Sequence, residues 1–163
     1  MNENSSEPNF FREFEFHFAC SGCGACCAGS PGYVLLSEND ASALASHFGI
    51  TIIDFAIKYC RLVDLGFDTV ISLKENEDYS CIFLEKNLCS IYTARPLQCR
   101  TYPFWESIVA SKETWTNEKR FCSGIDMGPR IPKSDIMEML VETKNNTYKA
   151  LAAKFLDVSE IAR

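Results

Sequence analysis

The sequence predicts an α+β fold: a small single domain in which short antiparallel strands and loops surround a cysteine cluster, with two middle helices and a C-terminal helix. Three observations predict this class. The alternating hydrophobic segments are short, two central segments have helical spacing with capping residues at their ends, and nine cysteines are distributed through 163 residues. A chain of this length can bury a core without disulfide staples.

The N-terminal part of the chain predicts two short strands. Residues 1–9 are polar, and we expect them to be flexible. Phenylalanine alternates with polar residues over 10–18, which is typical of a half-buried strand. A turn rich in glycine and proline follows the first cysteines, and residues 33–36 then predict a second strand.

Two helices are predicted in the middle of the chain, and capping residues define their ends. Ser37 is a good N-cap, and acidic residues follow it in the first turn of the helix. Gly49 ends that helix. Thr51 begins a second helix, which carries Cys60 on its apolar side and ends near Gly66. We therefore expect Cys60 to be a core residue rather than a metal ligand.

The later elements complete the predicted fold. In chain order they are a strand at 67–73, a hairpin of 80–84 and 88–92, one helical turn at 95–100, a hairpin over 108–115 and an amphipathic helix over 134–155. The chain is thus predicted to have three segments. They are a flexible N-terminus at 1–9, a cysteine-cluster metal-binding domain at 10–130, and a C-terminal helical segment at 131–163 packed on the same domain.

Composition and charge exclude several classes of partner. The 16 basic and 22 acidic residues give a formal net charge of −6, which lacks the basic surface of a nucleic-acid binder. No run of apolar residues is long enough for a membrane span, and residues 1–8 do not resemble a secretion signal. We therefore expect a cytoplasmic protein whose partners include metal ions but neither nucleic acid nor membrane. In a reducing cytoplasm, dense cysteines favour metal binding over disulfides.

Eight of the nine cysteines are candidate metal ligands. The first four form a C-x2-C-x2-C-C run, whose glycines allow the tight turns that aim two thiolates at one metal. The later four are separated by 7, 9 and 22 residues and can supply further ligands. The candidates are Cys20, Cys23, Cys26, Cys27, Cys81, Cys89, Cys99 and Cys122.

The adjacent pair Cys26 and Cys27 bears on the number of centres. In extended backbone their side chains point to opposite faces, so two close centres and one centre with a spare thiolate are both open. One partition assigns Cys20, Cys23, Cys26 and Cys99 to one centre, and Cys27, Cys81, Cys89 and Cys122 to the other. Arg95 and Arg100 flank Cys99, and their charge can offset thiolates or bind an anionic substrate or cofactor. A surface ion pair is the alternative role for these arginines.

Four segments together resemble a known family. They are the run from Cys20 to Cys27, the tetrapeptide Cys81-Ile82-Phe83-Leu84, the segment from Cys89 to Phe104, and Cys122-Ser123-Gly124-Ile125. With these segments the sequence resembles the YkgJ-type cysteine-cluster proteins, also described as the CxxCxxCC zinc- or iron-chelating domain family. The last segment is similar to the family's closing C-P-G-I element, with serine where proline is common. The resemblance spans residues 14–128.

The resemblance implies a cysteine-bound metal, either zinc or an iron–sulfur cluster. Members of the family are often labelled iron–sulfur oxidoreductases, and a related cluster occurs in the longer flagellin lysine methylases. The C-x2-C-x2-C run is similar to the cluster loops of ferredoxins, which favours a [4Fe–4S] cluster with a redox or Lewis-acid role. A structural zinc-binding module that acts in protein interaction and a metal-handling protein are the alternatives.

Overall fold

The computed structural model of the chain describes residues 9–148 and Phe155, which form two compact units interleaved along the sequence. The first unit combines the described part of Met1–Cys23 with Thr101–Lys144. The second combines Gly24–Arg100 with the described part of Asn145–Arg163. Both contain helices and short antiparallel strands, so the predicted α+β class is confirmed. The flexibility predicted for residues 1–8 lies outside the described residues, and the predicted segment boundaries stay predictions.

Two capped helices, α2 (Glu38–Phe48) and α3 (Ile52–Tyr59), lie in the second unit where the sequence predicts them. Ser37 begins α2 with a capping box, and Gly49 ends it in the left-handed conformation at φ 65°. Within the described ranges no single helix is long and apolar enough to cross a membrane. Only α2 and α3 taken together reach that length and hydropathy, and they bend by 93° at their junction.

The predicted end of α3 near Gly66 is wrong, because the chain turns into a strand at Cys60. The Lys74 ammonium donates to the carbonyl oxygen of Ile57 at 2.9 Å, which satisfies a carbonyl at the C-terminal end of α3. Strand β2 (Cys60–Asp64) then pairs antiparallel with β3 (Thr69–Leu73). Valine and leucine in this segment suit a strand that packs against a core.

The strand predicted at 33–36 and the hairpin predicted at 80–92 are both shorter than predicted. The segment at 33–36 forms one isolated bridge, Leu35 to Ser72, on the edge of β3. The hairpin predicted at 80–92 is confirmed, but its strands β4 (Leu84–Glu85) and β5 (Leu88–Cys89) have two residues each. Lys86 and Asn87 connect them with φ of 51° and 66°, the left-handed pair that two-residue hairpin turns require. Helix α4 (Leu97–Thr101) follows, as predicted for one helical turn.

The core of the second unit forms where α2 and α3 pack with the β2–β3 hairpin. An aromatic stack runs through it, in which the Phe48 ring lies 5.0 Å from that of Tyr59 and 5.6 Å from that of Phe83. Phe155 is 2% exposed and belongs to the same core. The wholly buried members are Leu36, Leu44, Phe55, Cys60 and Ile71.

The first unit is built around a second core. Strand β1 (His17–Phe18) pairs antiparallel with β6 (Ile125–Arg130), with an irregular register between His17 and Phe18. Phe16 and Trp115 are the largest side chains in this core, and their rings meet edge to face at 4.9 Å. The helices of the unit are α1 (Asn9–Glu13), α5 (Glu106–Val109), α6 (Lys112–Asn117) and α7 (Lys133–Asn145).

The strand predicted at 10–18 is present only at His17–Phe18, because the residues before it form α1. The hairpin predicted at 108–115 is wrong, because those residues belong to α5 and α6. A spacing of four residues fits both a strand face and a helix face, and the chain uses it as a helix: Phe14 N–H donates to the Phe10 carbonyl at 2.9 Å. The rings of Phe10 and Phe14 lie 4.6 Å apart at the end of α1. In place of the hairpin at 108–115, Ser111 and Thr114 form a capping box that begins α6.

The C-terminal helix begins as predicted but is shorter. Helix α7 ends at Asn145, and residues 146–148 are not helical. The sequence from Lys144 to Thr147 is polar, so it offers no apolar stripe to continue the buried face. The predicted helix over 149–154 lies outside the described residues.

Candidate metal centre

Cys26 and Cys27 form a close pair of thiols. They lie in a 3-10 turn, Ala25–Cys27, and their sulfur atoms are 3.8 Å apart. The expectation that their side chains point to opposite faces is therefore wrong, because it assumed extended backbone. Successive side chains in a 3-10 turn diverge by only a third of a turn, which lets both sulfurs face the same region.

The turn that carries this pair is held against the β4–β5 hairpin. Gly24 begins it with φ 73°, and Cys27 N–H donates to the Gly24 carbonyl at 2.9 Å. A Cβ on Gly24 would lie 2.7 Å from the Asn87 carbonyl oxygen. Glycine is thus required both for the left-handed backbone and for the close approach of the hairpin turn.

The hairpin brings two more cysteines to the same unit. Cys81 N–H donates to the Cys27 carbonyl at 2.8 Å, so backbone hydrogen bonding joins the two cysteine segments directly. Cys81 also forms an isolated bridge with Glu75, and its carbonyl accepts from Leu84 N–H at 2.8 Å. Cys89 lies on β5 opposite Leu84.

Cys99 comes from α4, whose first residues are anchored by side chains from elsewhere in the unit. Leu97 N–H donates to Oδ1 of Asp40 at 2.8 Å. The Gln98 amide accepts from Leu35 N–H at 2.9 Å and donates to the Tyr33 carbonyl at 2.9 Å. These hydrogen bonds hold the two residues that directly precede Cys99 and so position the backbone that presents its thiol.

The thiols of this group influence one another electrostatically. The hydrogen bond from Cys27 lowers the pKa of Cys26 to about 6, against the opposing effect of burial, and the charge of Arg95 acts in the same direction. The same hydrogen bond raises the pKa of Cys27, and burial raises it further. Burial also raises the pKa of Cys81 and brings that of Cys99 to about 12, with smaller contributions from neighbouring cysteines. Negative charge on one of these thiols therefore disfavours ionisation of its neighbours.

Arg95 is the arginine whose charge acts on these thiols. It favours the ionised forms of both Cys26 and Cys99. Its guanidinium lies 3.8 Å from the centre of the Tyr92 ring, and its Nε donates to the Tyr92 carbonyl at 3.0 Å. Arg100 is exposed on α4. Binding of a cofactor by either arginine stays a prediction.

Three candidate ligands belong to the first unit. Cys20 and Cys23 are exposed and Cys122 is buried. Ser123 donates to the Cys23 sulfur at 3.7 Å and hydrogen bonds with Ser21 at 2.8 Å. A Cβ on Gly124 would meet the Ala19 carbonyl oxygen, so glycine allows the two cysteine segments of this unit to run side by side.

The grouping of cysteines by unit differs from the predicted partition. Five of the eight candidates belong to the second unit, and the partition had divided those five between two centres. They are Cys26, Cys27, Cys81, Cys89 and Cys99.

Comparison with known proteins identifies the family. The family model described as "CxxCxxCC: Putative zinc- or iron-chelating domain" matches residues 19–123. The chain belongs to this family. "Uncharacterized protein MJ0661" from Methanocaldococcus jannaschii is 27% identical over 148 residues, which cover 88% of this chain and 72% of that protein. No solved structure matches the chain. Membership of the CxxCxxCC family confirms the predicted resemblance and supports metal binding through zinc or iron.

The ninth cysteine of this CxxCxxCC protein is a core residue, and the cluster that contains it also packs against Cys81 and Cys89. Cys60 is 0% exposed at the start of β2 and packs in the core of the second unit. Burial raises its pKa to about 12, although Lys74 opposes the shift. The prediction that Cys60 is a core residue is confirmed, although it begins a strand rather than lying within a helix.

The donors suit the metals that the CxxCxxCC family chelates, since thiolates select zinc and iron over hard cations. Within the described ranges, however, no three histidine, cysteine, aspartate or glutamate side chains form a ready-made metal site. His17 is engaged elsewhere, because its Nδ1 hydrogen bonds with the Gly128 carbonyl at 3.2 Å. The cysteine sulfurs must therefore approach one another further when a metal binds.

Other residues that support the CxxCxxCC cysteines were not found by sequence reasoning. Sequence patterns place Asp40 in the first turn of a helix and Gln98 in one helical turn, yet both hold α4. The aromatic residues near Cys89 and Cys99 in the sequence are divided between the units. Tyr92 is 51% exposed in the second unit, whereas Tyr102, Phe104 and Trp105 pack in the core of the first. No spacing rule for local motifs could have indicated these long-range contacts.

Proposed function

We propose that the chain chelates a single thiophilic metal ion, zinc or iron, with Cys26, Cys27, Cys81 and Cys99 of the second unit. One observation carries the proposal. The sulfurs of Cys26 and Cys27 are 3.8 Å apart. Zn–S bonds are about 2.3 Å long and the ligands are tetrahedral, so two thiolates on one zinc ion lie about 3.8 Å apart.

The charges around the pair support the same interpretation. The Cys26 pKa of about 6 means that this thiol readily becomes a thiolate, the form that binds metal. In the metal-free protein the Cys27 thiol stabilises that thiolate by a hydrogen bond. A dication bound in this region would stabilise Cys26 and Cys27 as thiolates. Four thiolates around a dication keep two excess negative charges, and Arg95 is positioned to offset part of them.

The remaining donors come from elements already fixed beside the pair. Cys81 is tied to the Cys27 carbonyl, and Cys99 is held on the anchored α4. Cys89 also acts electrostatically on Cys81 and Cys99, so it lies near the site without being one of the four proposed ligands. Because the thiols must stay reduced, the proposal implies a reducing compartment such as the cytoplasm. A closed four-thiolate site would act as a structural module, and the exposure of Cys26 suits transfer of the ion in metal handling.

An iron–sulfur cluster is the second candidate, and the C-x2-C-x2-C run favours it. A [4Fe–4S] cluster binds one cysteine per iron, so its four ligands can be drawn from the eight candidates with others left over. Such a centre would give the chain a redox role, or a Lewis-acid role at an iron not bound by cysteine. Two sulfurs 3.8 Å apart fit a single ion better than a [4Fe–4S] cluster, because the cysteine ligands of that cluster bind to separate irons.

Metal and sulfide analysis of the full chain, purified without air after growth with both zinc and iron, tests the proposal. We expect close to one metal ion per chain, no acid-labile sulfide and no broad absorption near 400 nm. Iron and sulfide in equal amounts, with brown colour, would support the cluster instead. Protein that holds no metal and binds neither zinc nor ferrous iron when they are added would contradict both candidates.

A further inference from the structure

Asp40 joins the cap of α2 to the beginning of α4. It is 8% exposed, and its two carboxylate oxygens have different partners. Oδ2 accepts from the Ser37 N–H at 3.0 Å and from the Ser37 hydroxyl at 2.6 Å, which completes the capping box. Oδ1 accepts from Leu97 N–H at 2.8 Å, 57 residues further along the chain.

Asp54 shows what a cap alone requires at this position. It is the third residue of α3, as Asp40 is of α2, and its carboxylate accepts from the Thr51 hydroxyl at 2.6 Å. Its N–H donates back to Thr51 at 3.1 Å. Asp54 is exposed, whereas Asp40 is buried. The burial of Asp40 and its bond to Leu97 are therefore additions to an ordinary helix cap.

We infer that Asp40 is a positioning residue for Cys99, an inference that rests on the proposed function. Leu97 is the first residue of α4, and Cys99 follows two residues later. A charge-assisted hydrogen bond from the Leu97 N–H to a buried carboxylate fixes the backbone from which the Cys99 thiol projects. Gln98, the next residue, holds the same turn to the segment at 33–35 through its side-chain amide. Asn146 adds a long contact of 3.5 Å to Oδ2 of Asp40.

The consequence of losing Asp40 follows from this geometry. Without the carboxylate, the buried Leu97 N–H loses this hydrogen bond, and the first turn of α4 is free to shift. Such a shift moves the Cys99 sulfur relative to the sulfurs of Cys26 and Cys27. Residues that orient metal ligands typically affect affinity by about 10- to 100-fold when they are changed. Asp40→Ala is expected to weaken zinc binding by at least about tenfold on this basis.

Four variants of the full chain test the inference, with zinc(II) as the probe and affinity measured by competition with a chromophoric chelator. Asp40→Ala removes both roles of the carboxylate, and Asp40→Asn retains an oxygen that can accept from Leu97. Ser37→Ala damages the α2 cap but leaves the Asp40–Leu97 bond, and Asp54→Ala damages the matching cap on α3. We expect the three alanine variants to melt at lower temperature than wild type in the metal-free state. Only Asp40→Ala should bind zinc markedly more weakly, and Asp40→Asn should recover most of the affinity.

The outcomes separate this inference from the proposed function. Wild-type protein that binds no zinc would contradict the proposed function, and the inference with it. Zinc binding by wild type and by Asp40→Ala with equal affinity would overturn the inference alone, as would an equal loss in Ser37→Ala. If Asp40→Ala does not fold, hydrogen exchange of the Leu97 amide in Asp40→Asn and Ser37→Ala decides. Faster exchange at Leu97 in Ser37→Ala than in Asp40→Asn would contradict an anchor made by Asp40.

Discussion

Replacing Cys99 by serine is expected to remove tight metal binding. A serine hydroxyl does not ionise near neutral pH and is a harder ligand than a thiolate, so it cannot replace the lost sulfur. Helix α4 supplies only this cysteine, and hydrogen bonds hold the two residues that precede it. We expect a loss of affinity above about 100-fold, beyond the range of residues that only orient ligands. Measurement of bound metal after gel filtration, and of zinc affinity by chelator competition, checks this.

Cys60→Ser is the matched control, since it makes the same chemical change at a thiol of the core. Cys60 is wholly buried, so the introduced hydroxyl destabilises the fold by about 1 to 3 kcal/mol. It should nevertheless leave the metal content per folded chain close to wild type. Equal loss of metal from Cys60→Ser and Cys99→Ser would contradict the distinction between core and ligand. Retention of metal by Cys99→Ser would remove Cys99 from the ligand set.

Gly24→Ala is expected to have the largest effect on stability among glycine substitutions in the second unit. The left-handed φ of 73° costs an alanine about 1 to 2 kcal/mol. Its methyl group would lie 2.7 Å from the Asn87 carbonyl and 3.0 Å from a Leu84 methyl, so the hairpin must move. Together these effects predict a loss of about 2 to 4 kcal/mol in the free energy of unfolding. Urea denaturation of the metal-free protein measures this loss.

Gly66→Ala separates backbone strain from the clash. Gly66 has φ 84° between β2 and β3, and a Cβ there meets nothing within 4 Å. It should lose only the conformational cost of about 1 to 2 kcal/mol and keep wild-type metal affinity. Gly24→Ala should also bind metal more weakly, because Gly24 begins the turn that presents Cys26 and Cys27. Equal destabilisation by the two changes, with metal binding intact in both, would contradict the tight packing described for Gly24.

The helices that could be predicted were those with local end signals. Ser37 and Thr51 cap α2 and α3 through contacts three residues away, which are readable in the sequence. The phenylalanines at the N-terminus were misleading because a spacing of four satisfies both a strand and a helix. The end of α3 was missed because Lys74, which binds its last carbonyls, lies 17 residues further along the chain.

For the candidate site, too, only the features that depend on local sequence could be predicted. The spacing of the cysteines indicated the family and a set of candidate ligands, since both depend on local turns. The arrangement of the ligands could not be predicted, because it depends on whether Cys26 and Cys27 lie in extended or helical backbone. The long-range bond between Asp40 and Leu97 has no signal in a single sequence, because each residue also has an ordinary local role.

X-ray absorption at the edge of the bound metal tests most directly whether Cys26 and Cys27 share one ion. The proposed centre predicts a shell of about four sulfur atoms at about 2.3 Å and no second metal nearby. A short metal–metal distance would contradict the single ion and indicate a cluster. A shell made mainly of nitrogen or oxygen would contradict chelation by the cysteines themselves.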